Sequence, residues 1–249
     1  MVGPFYLSAS HPGIAQSKTF IFTPMQEFVI IVAGGVGKRM GAPVPKQFLE
    51  LDGKPIIMRT IDKFYTARPG IEIIISLSSD YFDLWQSLCG KYHFTTPHQL
   101  VAGGKERFHS VKAGLDSISG NKGVVGIHDA VRPLVSEKTI QTCFENTPEK
   151  GAVVPVTMVF DSIRKIDQNG NNAVNRLDYR IVQTPQCFDL KLIKSSFSSG
   201  YREEFTDDAS VAESAGHKIH LVEGNRENIK VTTAEDLKIA EAFLNQRID

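Results

Sequence analysis

The 249-residue sequence lacks several features that mark whole classes of protein. It has only three cysteines, Cys89, Cys143 and Cys187, which lie far apart and form no C-x-x-C pair. Their spacing indicates neither a disulfide framework nor a zinc knuckle, and it favours a reducing, cytoplasmic compartment. No apolar run approaches the roughly 18 residues that a membrane-spanning helix needs, so we expect no membrane association.

The sequence also lacks an excess of either charge, because 28 lysines and arginines balance 28 aspartates and glutamates. Domains that bind nucleic acid are usually basic, so a nucleic-acid partner held by bulk charge is not expected. Hydrophobic residues make up 41% and charged residues 22% of the chain, which excludes disorder over its whole length. The length fits one large domain or two small ones.

Residues 1–26 lack any clear period and contain scattered prolines and aromatics. They also lack the basic segment and continuous apolar stretch that define a secretory signal. Met25 directly precedes the first convincing strand. We therefore expect residues 1–26 to be a flexible N-terminal extension and residues 27–249 to form a single domain. Within the extension, we expect Met25 to be the natural start and residues 1–24 to be a wrongly assigned extension or a mobile tail.

The remaining sequence alternates between strand-like and helix-like segments. The strand-like segments are short apolar runs, which are typical of strands buried on both faces of a parallel sheet. The alternation predicts an α/β fold with a mainly parallel sheet flanked by helices. In chain order, the predicted strands are 28–33, 71–77, 99–102, 123–128 and 151–156, and the predicted helices are 56–65, 81–88, 110–118 and 139–144.

Residues 157–182 interrupt this alternation. They contain two short strand-like segments on either side of the polar turn 168–172, which predicts a two-stranded arm that projects from the sheet. Near the C-terminus, Thr232-x-x-Glu235 matches a capping box that begins a final helix. The residues just before that helix are predicted to form a short strand that carries Lys230.

A glycine-rich turn, Gly34-Gly35-Val36-Gly37, follows the first strand. Glycines in such a turn let backbone N–H groups approach a phosphate. The turn is neither a Walker A loop nor the dinucleotide fingerprint, because Met40 occupies the third glycine position of the latter. Arg39 and Lys46, the latter on a turn stiffened by proline, predict a triphosphate cradle. The alternative is a surface loop with solvated charges.

Asp129 directly follows the predicted strand 123–128. Ligands of open α/β sheets bind at the carboxyl ends of strands, where one carboxylate can hold Mg²⁺ together with substrate phosphates. Arg132 can pair bidentately with a phosphate. The alternative is that Asp129 caps the next helix. Residues 103–110 contain a second glycine turn that could approach a base or ribose. Residues 183–186 place hydrogen-bond donors at a strand end, and we expect residues 206–208 to cap a helix.

Taken together, these segments resemble those of the 2-C-methyl-D-erythritol 4-phosphate cytidylyltransferases. The shared motifs occur in the family's order from about residue 27 to the C-terminus. They are residues 32–41, Pro45-Lys46-Gln47-Phe48, Gly103-Gly104-x-x-Arg107-x-x-Ser110, His128-Asp129-Ala130-Val131-Arg132-Pro133, Asp161-Ser162, Gln183-Thr184-Pro185-Gln186, Thr206-Asp207-Asp208 and Asn228-Ile229-Lys230-Val231-Thr232.

The resemblance implies a Rossmann-like fold of the nucleotide-diphospho-sugar transferase type, with a projecting β-arm. It implies that the protein joins CTP to 2-C-methyl-D-erythritol 4-phosphate and releases pyrophosphate in non-mevalonate isoprenoid precursor synthesis. It also implies a Mg²⁺ requirement and a homodimer joined by the projecting arms.

The resemblance further implies roles for individual residues. The residues that stabilise the triphosphate and the transition state would be Arg39, Lys46 and Lys230, and the metal would lie beside Asp129. The residues around CTP would be Ala33, Gly34, Gly35, Gly37, Gly103, Lys105, Ser110, Asp129 and Ala130. The residues that contact the methylerythritol phosphate would be Arg132, Ser162, Arg176 and Thr184, with Ser162 and Arg176 reaching from the partner's arm.

Several other functions are left open by the sequence. A ribitol-5-phosphate cytidylyltransferase would share the glycine loop, Pro-Lys-Gln and Gln-Thr-Pro-Gln. A nucleotidyltransferase acting on UTP or a sugar phosphate is a second alternative. A non-catalytic nucleotide-binding regulatory module would not need every cationic position together with Asp129. A dinucleotide oxidoreductase is the weakest alternative, because Met40 breaks its glycine fingerprint.

Overall fold

The computed structural model describes residues 25–34, 44–168 and 170–245. The expectations for residues 1–24, and those for Gly35, Gly37 and Arg39, concern residues outside this described part. Its strands, labelled in chain order, are β1 (Glu27–Val32), β2 (Glu50–Leu51), β3 (Lys54–Pro55), β4 (Glu72–Leu77), β5 (Gln99–Ala102), β6 (Val124–Asp129), β7 (Ala152–Met158), β8 (Arg164–Asp167), β9 (Gly170–Ala173), β10 (Arg180–Val182), β11 (Gln186–Asp189) and β12 (His220–Glu223). Its helices are α1 (Ile56–Ala67), α2 (Phe82–Lys91), α3 (Arg107–Ser117), α4 (Glu137–Lys150), α5 (Leu190–Phe197), α6 (Asp208–Ser214) and α7 (Ala234–Asn245).

Eight of the described strands form one mainly parallel sheet. Strands β5, β4, β1 and β6 lie side by side in that order and run parallel. Strand β11 runs antiparallel between β6 and β7, and β10 pairs antiparallel with the far end of β7. Strand β12 pairs parallel with β7. This topology, with helices on both faces, confirms the predicted α/β fold.

The central strands are buried on both faces, as their continuous apolar sequences predict. In β1, Val29 and Ile31 pack into a core that includes side chains of α1, α2 and α4. Ile30, between them, packs into a second core with side chains of α3, α5 and α6. Each fully buried side chain of this kind stabilises the fold by about 1.5–3 kcal/mol. The two cores together fix β1 and β6 at the centre of the molecule.

The carboxyl ends of the parallel strands meet at one edge of the sheet. Just beyond β1, the Ala33 N–H donates to the Ser76 carbonyl of β4 at 2.8 Å. Just beyond β5, the Gly103 N–H donates to the Leu77 carbonyl at 2.8 Å. The Ala130 N–H, after β6, donates to the Val32 carbonyl at 3.0 Å. The sheet therefore brings Gly34, Gly103 and the turn that follows Asp129 together.

Helix α4 is longer than the sequence predicts. It runs beyond the predicted 139–144 and contains Pro148 in its last turn. A proline removes one backbone hydrogen bond from a helix. Ile140, Cys143 and Phe144 are each at most 1% exposed, so packing against the sheet outweighs that loss.

Several elements between β10 and α7 differ from the predictions. The expected cap at 206–208 anticipates α6, but the sequence does not predict the short elements β11, α5 and β12. Residues 228–232 do not form the predicted strand, so Lys230 lies on an irregular segment. The cap of α7 also begins one residue later than predicted. Its Asp236 carboxylate accepts hydrogen bonds from the N–H groups of Thr232 at 2.8 Å and Thr233 at 2.9 Å.

The predicted arm is present as the hairpin β8–β9, which pairs antiparallel and is separate from the main sheet. All residues of both strands are exposed. Among the described residues, no helix has both the length and the apolar character needed to cross a membrane.

Candidate active site

Three cationic side chains surround the carboxylate of Asp129, the last residue of β6. Lys230 Nζ lies 3.0 Å and Arg132 Nε lies 3.2 Å from Asp129 Oδ2. Arg107 Nε lies 3.5 Å from Asp129 Oδ1. The structure therefore brings together three predicted site residues from two segments, Asp129 and Arg132 from one and Lys230 from the other. Arg107, which the sequence analysis gave no individual role, completes the group.

The Asp129 carboxylate is ionised although it is buried. Burial raises the pKa of this carboxyl, but the positive charges of Arg107, Lys230 and Arg132 outweigh burial and hold the pKa well below its usual range. The alternative that Asp129 caps the next helix is wrong. Helix α4 is capped by Ser136, whose hydroxyl accepts a hydrogen bond from the Thr139 N–H at 3.0 Å.

Arg107 connects Asp129 to a second buried carboxylate, that of Asp208. The two Nη groups of Arg107 donate to the two carboxylate oxygens of Asp208 at 2.8 and 2.6 Å. Capping by residues 206–208 is confirmed for Asp207, which accepts from the Ser210 N–H at 2.9 Å and caps α6. Asp208 instead holds Arg107 beside Asp129. No sequence signal links these residues, because they are 101 positions apart.

A first cleft of about 380 Å³ lies on the glycine-loop side of Asp129, and we call it the glycine-side cleft. It adjoins the start of the glycine-rich turn after β1. The predicted site residues that line it are Ala33, Gly34, Lys46, Lys105, Ser110, Asp129, Ala130 and Lys230. Most of the described residues that were predicted to contact CTP therefore share one cleft.

Gly34 and Gly103 leave room for the hydroxyl of Ser110. A Cβ atom at Gly34 would lie 2.7 Å from Ser110 Oγ, and one at Gly103 would lie 3.0 Å from it. The same hydroxyl accepts a hydrogen bond from the Gly104 N–H at 3.2 Å. Larger residues at these glycines would push α3 away from the ends of β1 and β5.

Gln47 has a structural role that the sequence analysis missed. It is 2% exposed, and its Nε2 donates to the Ala33 carbonyl at 2.8 Å. Lys46 precedes it in a short 3₁₀ turn. The buried amide therefore holds Lys46 next to the start of the glycine-rich turn.

A second cleft of about 300 Å³ lies on the other side of Asp129, and we call it the threonine-side cleft. Arg132 and Thr184 line this cleft, as predicted for residues that share a ligand. Arg132 Nη1 donates to the Asn228 carbonyl at 2.8 Å, while its Nε faces Asp129. The protein thus uses part of the guanidinium that was predicted to bind a phosphate bidentately.

Ser162 and Arg176 do not join the other predicted site residues. Both are exposed on the arm region between β7 and β10. Arg176 donates to the Phe160 carbonyl of the same region. Within the described part of this chain, neither residue lines either cleft.

Asp129 is suited to hold a divalent cation together with a substrate. The described residues contain no group of three or more His, Cys, Asp or Glu side chains that could hold a metal ion by themselves. Mg²⁺ is commonly held by one or two carboxylates with substrate phosphates as the remaining ligands. One ionised carboxylate between two clefts fits that mode of binding.

Comparison with known sequences gives a consistent match. A sequence profile of the 2-C-methyl-D-erythritol 4-phosphate cytidylyltransferases matches residues 28–246. A protein of that name from Phocaeicola vulgatus is 49% identical over 220 residues, which cover 88% of this chain and 100% of the relative. Another from Clostridium botulinum is 38% identical over 222 residues, covering 88% of this chain and 97% of the relative.

Comparison with solved structures agrees. A crystal structure of 4-diphosphocytidyl-2C-methyl-D-erythritol synthase from Anaerococcus prevotii matches with a TM-score of 0.78 and 29% identity, covering 89% of this chain and 96% of that one. A crystal structure of 2-C-methyl-D-erythritol 4-phosphate cytidylyltransferase from Thermus thermophilus matches with a TM-score of 0.70 and 28% identity, covering 89% and 100%.

Proposed function

Because this chain belongs to the 2-C-methyl-D-erythritol 4-phosphate cytidylyltransferase family, we propose that its two clefts hold the two substrates of that reaction. The reaction transfers CMP from CTP to 2-C-methyl-D-erythritol 4-phosphate and releases pyrophosphate, in isoprenoid precursor synthesis. CTP occupies the glycine-side cleft and the polyol phosphate occupies the threonine-side cleft. The observation that carries this proposal is that Arg107, Asp129 and Lys230 line both clefts.

The electrostatics of the site support this assignment. An oxygen of the acceptor phosphate attacks the α-phosphorus of CTP as pyrophosphate departs, so two anions must meet. Such transfers need positioning and charge neutralisation more than covalent catalysis. Lys46 and Lys230 neutralise the triphosphate, as does Arg39, which lies outside the described residues. Arg132 faces the acceptor phosphate from the threonine-side cleft.

The nucleoside end of CTP lies against the backbone where β1 and β5 end. Ala33, Gly34 and Ser110 line the glycine-side cleft there, and a Cβ added at Gly103 would lie 3.0 Å from Ser110 Oγ. Glycines at these positions let a ligand approach the main chain closely. Lys105 and Ala130 complete the proposed nucleotide contacts.

Asp129 would hold the Mg²⁺ that this reaction implies. Mg²⁺ at that carboxylate would add positive charge beside the triphosphate oxygens. The cytoplasm is the compartment we propose for the reaction, because Cys89, Cys143 and Cys187 are all free thiols.

We further propose a homodimer in which each arm reaches the partner's threonine-side cleft. Large exposed apolar side chains concentrate on the arm and on β10, including Phe160 (62% exposed), Ile166 (82%) and Leu177 (59%). Exposed apolar patches on a folded protein commonly mark an interface. This arrangement would bring Ser162 and Arg176 to the acceptor, which they do not approach within one chain.

The proposed reaction is tested by measuring pyrophosphate release with CTP and Mg²⁺ in three parallel assays. The assays contain 2-C-methyl-D-erythritol 4-phosphate, ribitol 5-phosphate or no acceptor. We expect release only with the methylerythritol phosphate. Pyrophosphate release with ribitol 5-phosphate alone would contradict the proposed identity of the acceptor. No release with either, from folded protein that still binds CTP, would contradict the transfer reaction.

A further inference from the structure

His128 is buried directly beneath the turn that carries Asp129 and Arg132, and no function has been assigned to it above. It is 0% exposed, and its ring packs edge-on against Phe64 with the centroids 4.8 Å apart. Its Nε2 lies 3.1 Å from the carbonyl oxygen of Arg132. Its Nδ1 lies 3.0 Å from Thr184 Oγ1. Both ring nitrogens therefore face residues that line the threonine-side cleft.

The chemistry of these partners fixes the tautomer of the ring. A carbonyl oxygen can only accept, so Nε2 carries the hydrogen and donates to Arg132. The ring is fully buried against Phe64, and burial disfavours its charged form, so the ring is neutral and Nδ1 has a free lone pair. Nδ1 can then only accept, and the Thr184 hydroxyl is the donor.

Thr184 completes the chain towards Asp129. Its Oγ1 accepts a hydrogen bond from the Asp129 N–H at 3.2 Å. The hydroxyl has one hydrogen, and that hydrogen is given to His128. An ionised phosphate needs donors, so this hydroxyl has none left for the acceptor phosphate. The substrate contact that the sequence resemblance implies for the Thr184 side chain conflicts with this geometry.

We propose that His128 is a positioning residue for the transfer reaction and that Thr184 acts through it rather than by binding the acceptor phosphate. The chain from the Asp129 N–H through Thr184 and His128 to the Arg132 carbonyl holds both ends of the 129–132 turn. These hydrogen bonds fix the position of the Asp129 carboxylate, which faces both clefts, relative to the Arg132 guanidinium, which faces the acceptor. This proposal rests on the proposed function.

A second contact shows how firmly the same turn is held from below. Thr60 Oγ1 donates to the Ala130 carbonyl at 2.8 Å. That contact is not one of the hydrogen bonds made through His128, so it still holds the turn when those hydrogen bonds are removed. Variants that remove the hydrogen bonds through Thr184 and His128 should consequently still fold, but their Asp129 and Arg132 side chains should no longer be aligned.

A double-mutant cycle tests the proposal. Thr184→Val keeps the side-chain shape and removes both hydrogen bonds, and His128→Phe keeps the ring against Phe64 and removes both nitrogens. We expect each variant to lower kcat about tenfold, and the double variant to lower it no further than the slower single variant. If Thr184 bound the acceptor directly, the double variant would lose the product of the two effects, about a hundredfold, and Thr184→Val alone would raise KM for the acceptor. That result would overturn the proposal.

Two matched variants separate alignment from general loss of packing. Thr184→Ser restores the hydroxyl and should recover most of the kcat that Thr184→Val loses. Thr147→Val removes another buried threonine hydroxyl, which donates to the Cys143 carbonyl at 2.7 Å in α4, and should leave kcat unchanged. A fall in kcat with Thr147→Val as large as with Thr184→Val would show a structural effect and refute the positioning role.

A direct spectroscopic test does not depend on activity. Imidazole ¹⁵N NMR of the whole protein should show the neutral Nε2–H tautomer of His128, and Thr184→Val should shift the Nδ1 resonance. An Nδ1–H tautomer, or an Nδ1 resonance that Thr184→Val leaves unchanged, would overturn the hydrogen-bond chain. If wild-type protein lacks transfer activity but shows these ¹⁵N resonances, the proposed function is refuted and the hydrogen bonds through His128 and Thr184 are still confirmed.

Discussion

Lys230 is the cation beside Asp129 with the greatest freedom to reach a substrate. Its side chain is 42% exposed, whereas that of Arg132 is 13% exposed and also bonded to the Asn228 carbonyl. Lys230 can therefore turn from Asp129 towards a triphosphate. We expect Lys230→Ala to lower kcat at least about tenfold, because a cation that meets developing charge is lost. Steady-state pyrophosphate release measures this effect.

Lys112 provides a matched control for Lys230. Its side chain is also 42% exposed and also pairs with an aspartate, Asp116, at 2.8 Å. It lies on α3 and lines neither of the two clefts among the described residues. Lys112→Ala should leave kcat unchanged. Similar kcat values for the two variants would contradict the role of Lys230.

His128 also makes a prediction about stability and pH. Burial lowers its pKa from the ordinary 6.5 to about 3, against smaller opposing effects of Asp129 and the Arg132 carbonyl. Between these values the unfolded chain binds a proton that the folded chain does not. The free energy of unfolding should therefore fall as pH drops from about 6.5 to 4.5, by up to about 1.4 kcal/mol per pH unit.

The pH effect can be isolated by denaturant unfolding of wild type and His128→Asn at several pH values. The low pKa of Asp129 reduces stability only at more acidic pH, because the unfolded carboxyl titrates near 3.9. The raised pKa of Asp208 acts in the opposite direction, and it is common to both proteins. The variant should show a flatter dependence above pH 4.5. Parallel curves would rule out the buried neutral ring.

At the scale of elements, the distance between α3 and β1 is set by one helical glycine. A Cβ at Gly114 would lie 2.7 Å from Ile30 Cγ2 in β1. Gly→Ala inside a helix usually stabilises it, by up to about 1 kcal/mol. Here we expect Gly114→Ala to destabilise the protein by about 1–3 kcal/mol, because the core is overpacked. Displaced α3 should also carry Ser110 away from Gly34 and raise KM for CTP.

Gly90 in α2 is the matched control for Gly114. A Cβ added there meets nothing within 4 Å. Gly90→Ala should therefore stabilise the protein, by about 0.5 kcal/mol, and leave KM for CTP unchanged. Thermal unfolding of the two variants should give shifts of opposite sign. Two upward shifts would show that α3 can move freely on β1.

The elements that the sequence predicts well are those whose own residues determine them. The runs at β1 and β6 are apolar throughout, and only strands buried on both faces accommodate such runs. Strand β11 is different, because its four residues form a strand by pairing between β6 and β7. Helix α4 continues through Pro148 because burial of its apolar face outweighs the backbone hydrogen bond that the proline removes. Such tertiary effects are not visible in a local pattern.

The same distinction applies to the candidate site. Asp129, Lys46 and Gly34 could be located because strand ends and glycine turns have local signatures. The pairing of Arg107 with Asp208 spans 101 positions, and that of His128 with Thr184 spans 56. The sequence resemblance included all four residues in motifs but did not show which of them contact one another. Their partners follow only from the folded chain.

At the scale of the whole molecule, the distribution of exposed apolar side chains separates the arm from the body. Ile166 on β8 is 82% exposed, and among the described strands β8 and β9 pair only with each other. A two-stranded hairpin alone is marginally stable in water. The arm therefore needs a partner surface for its apolar side chains, and a second copy of the chain supplies one in the proposed homodimer.

Mixing two inactive variants tests the shared site directly. Lys46→Ala damages the body of a site, and Arg176→Ala damages the arm that would reach the partner's site. If each site uses one body and the other chain's arm, a mixed dimer has one intact site and one site that carries both changes.

Random mixing of equal amounts should restore about a quarter of wild-type sites, because half of the dimers are mixed and each mixed dimer has one intact site of two. Each variant alone should remain nearly inactive, and the mixture should gain activity at the rate at which subunits exchange. A mixture no more active than its components, in protein whose light scattering shows exchanged dimers, would mean that each site is built from one chain and that the arm only joins the two.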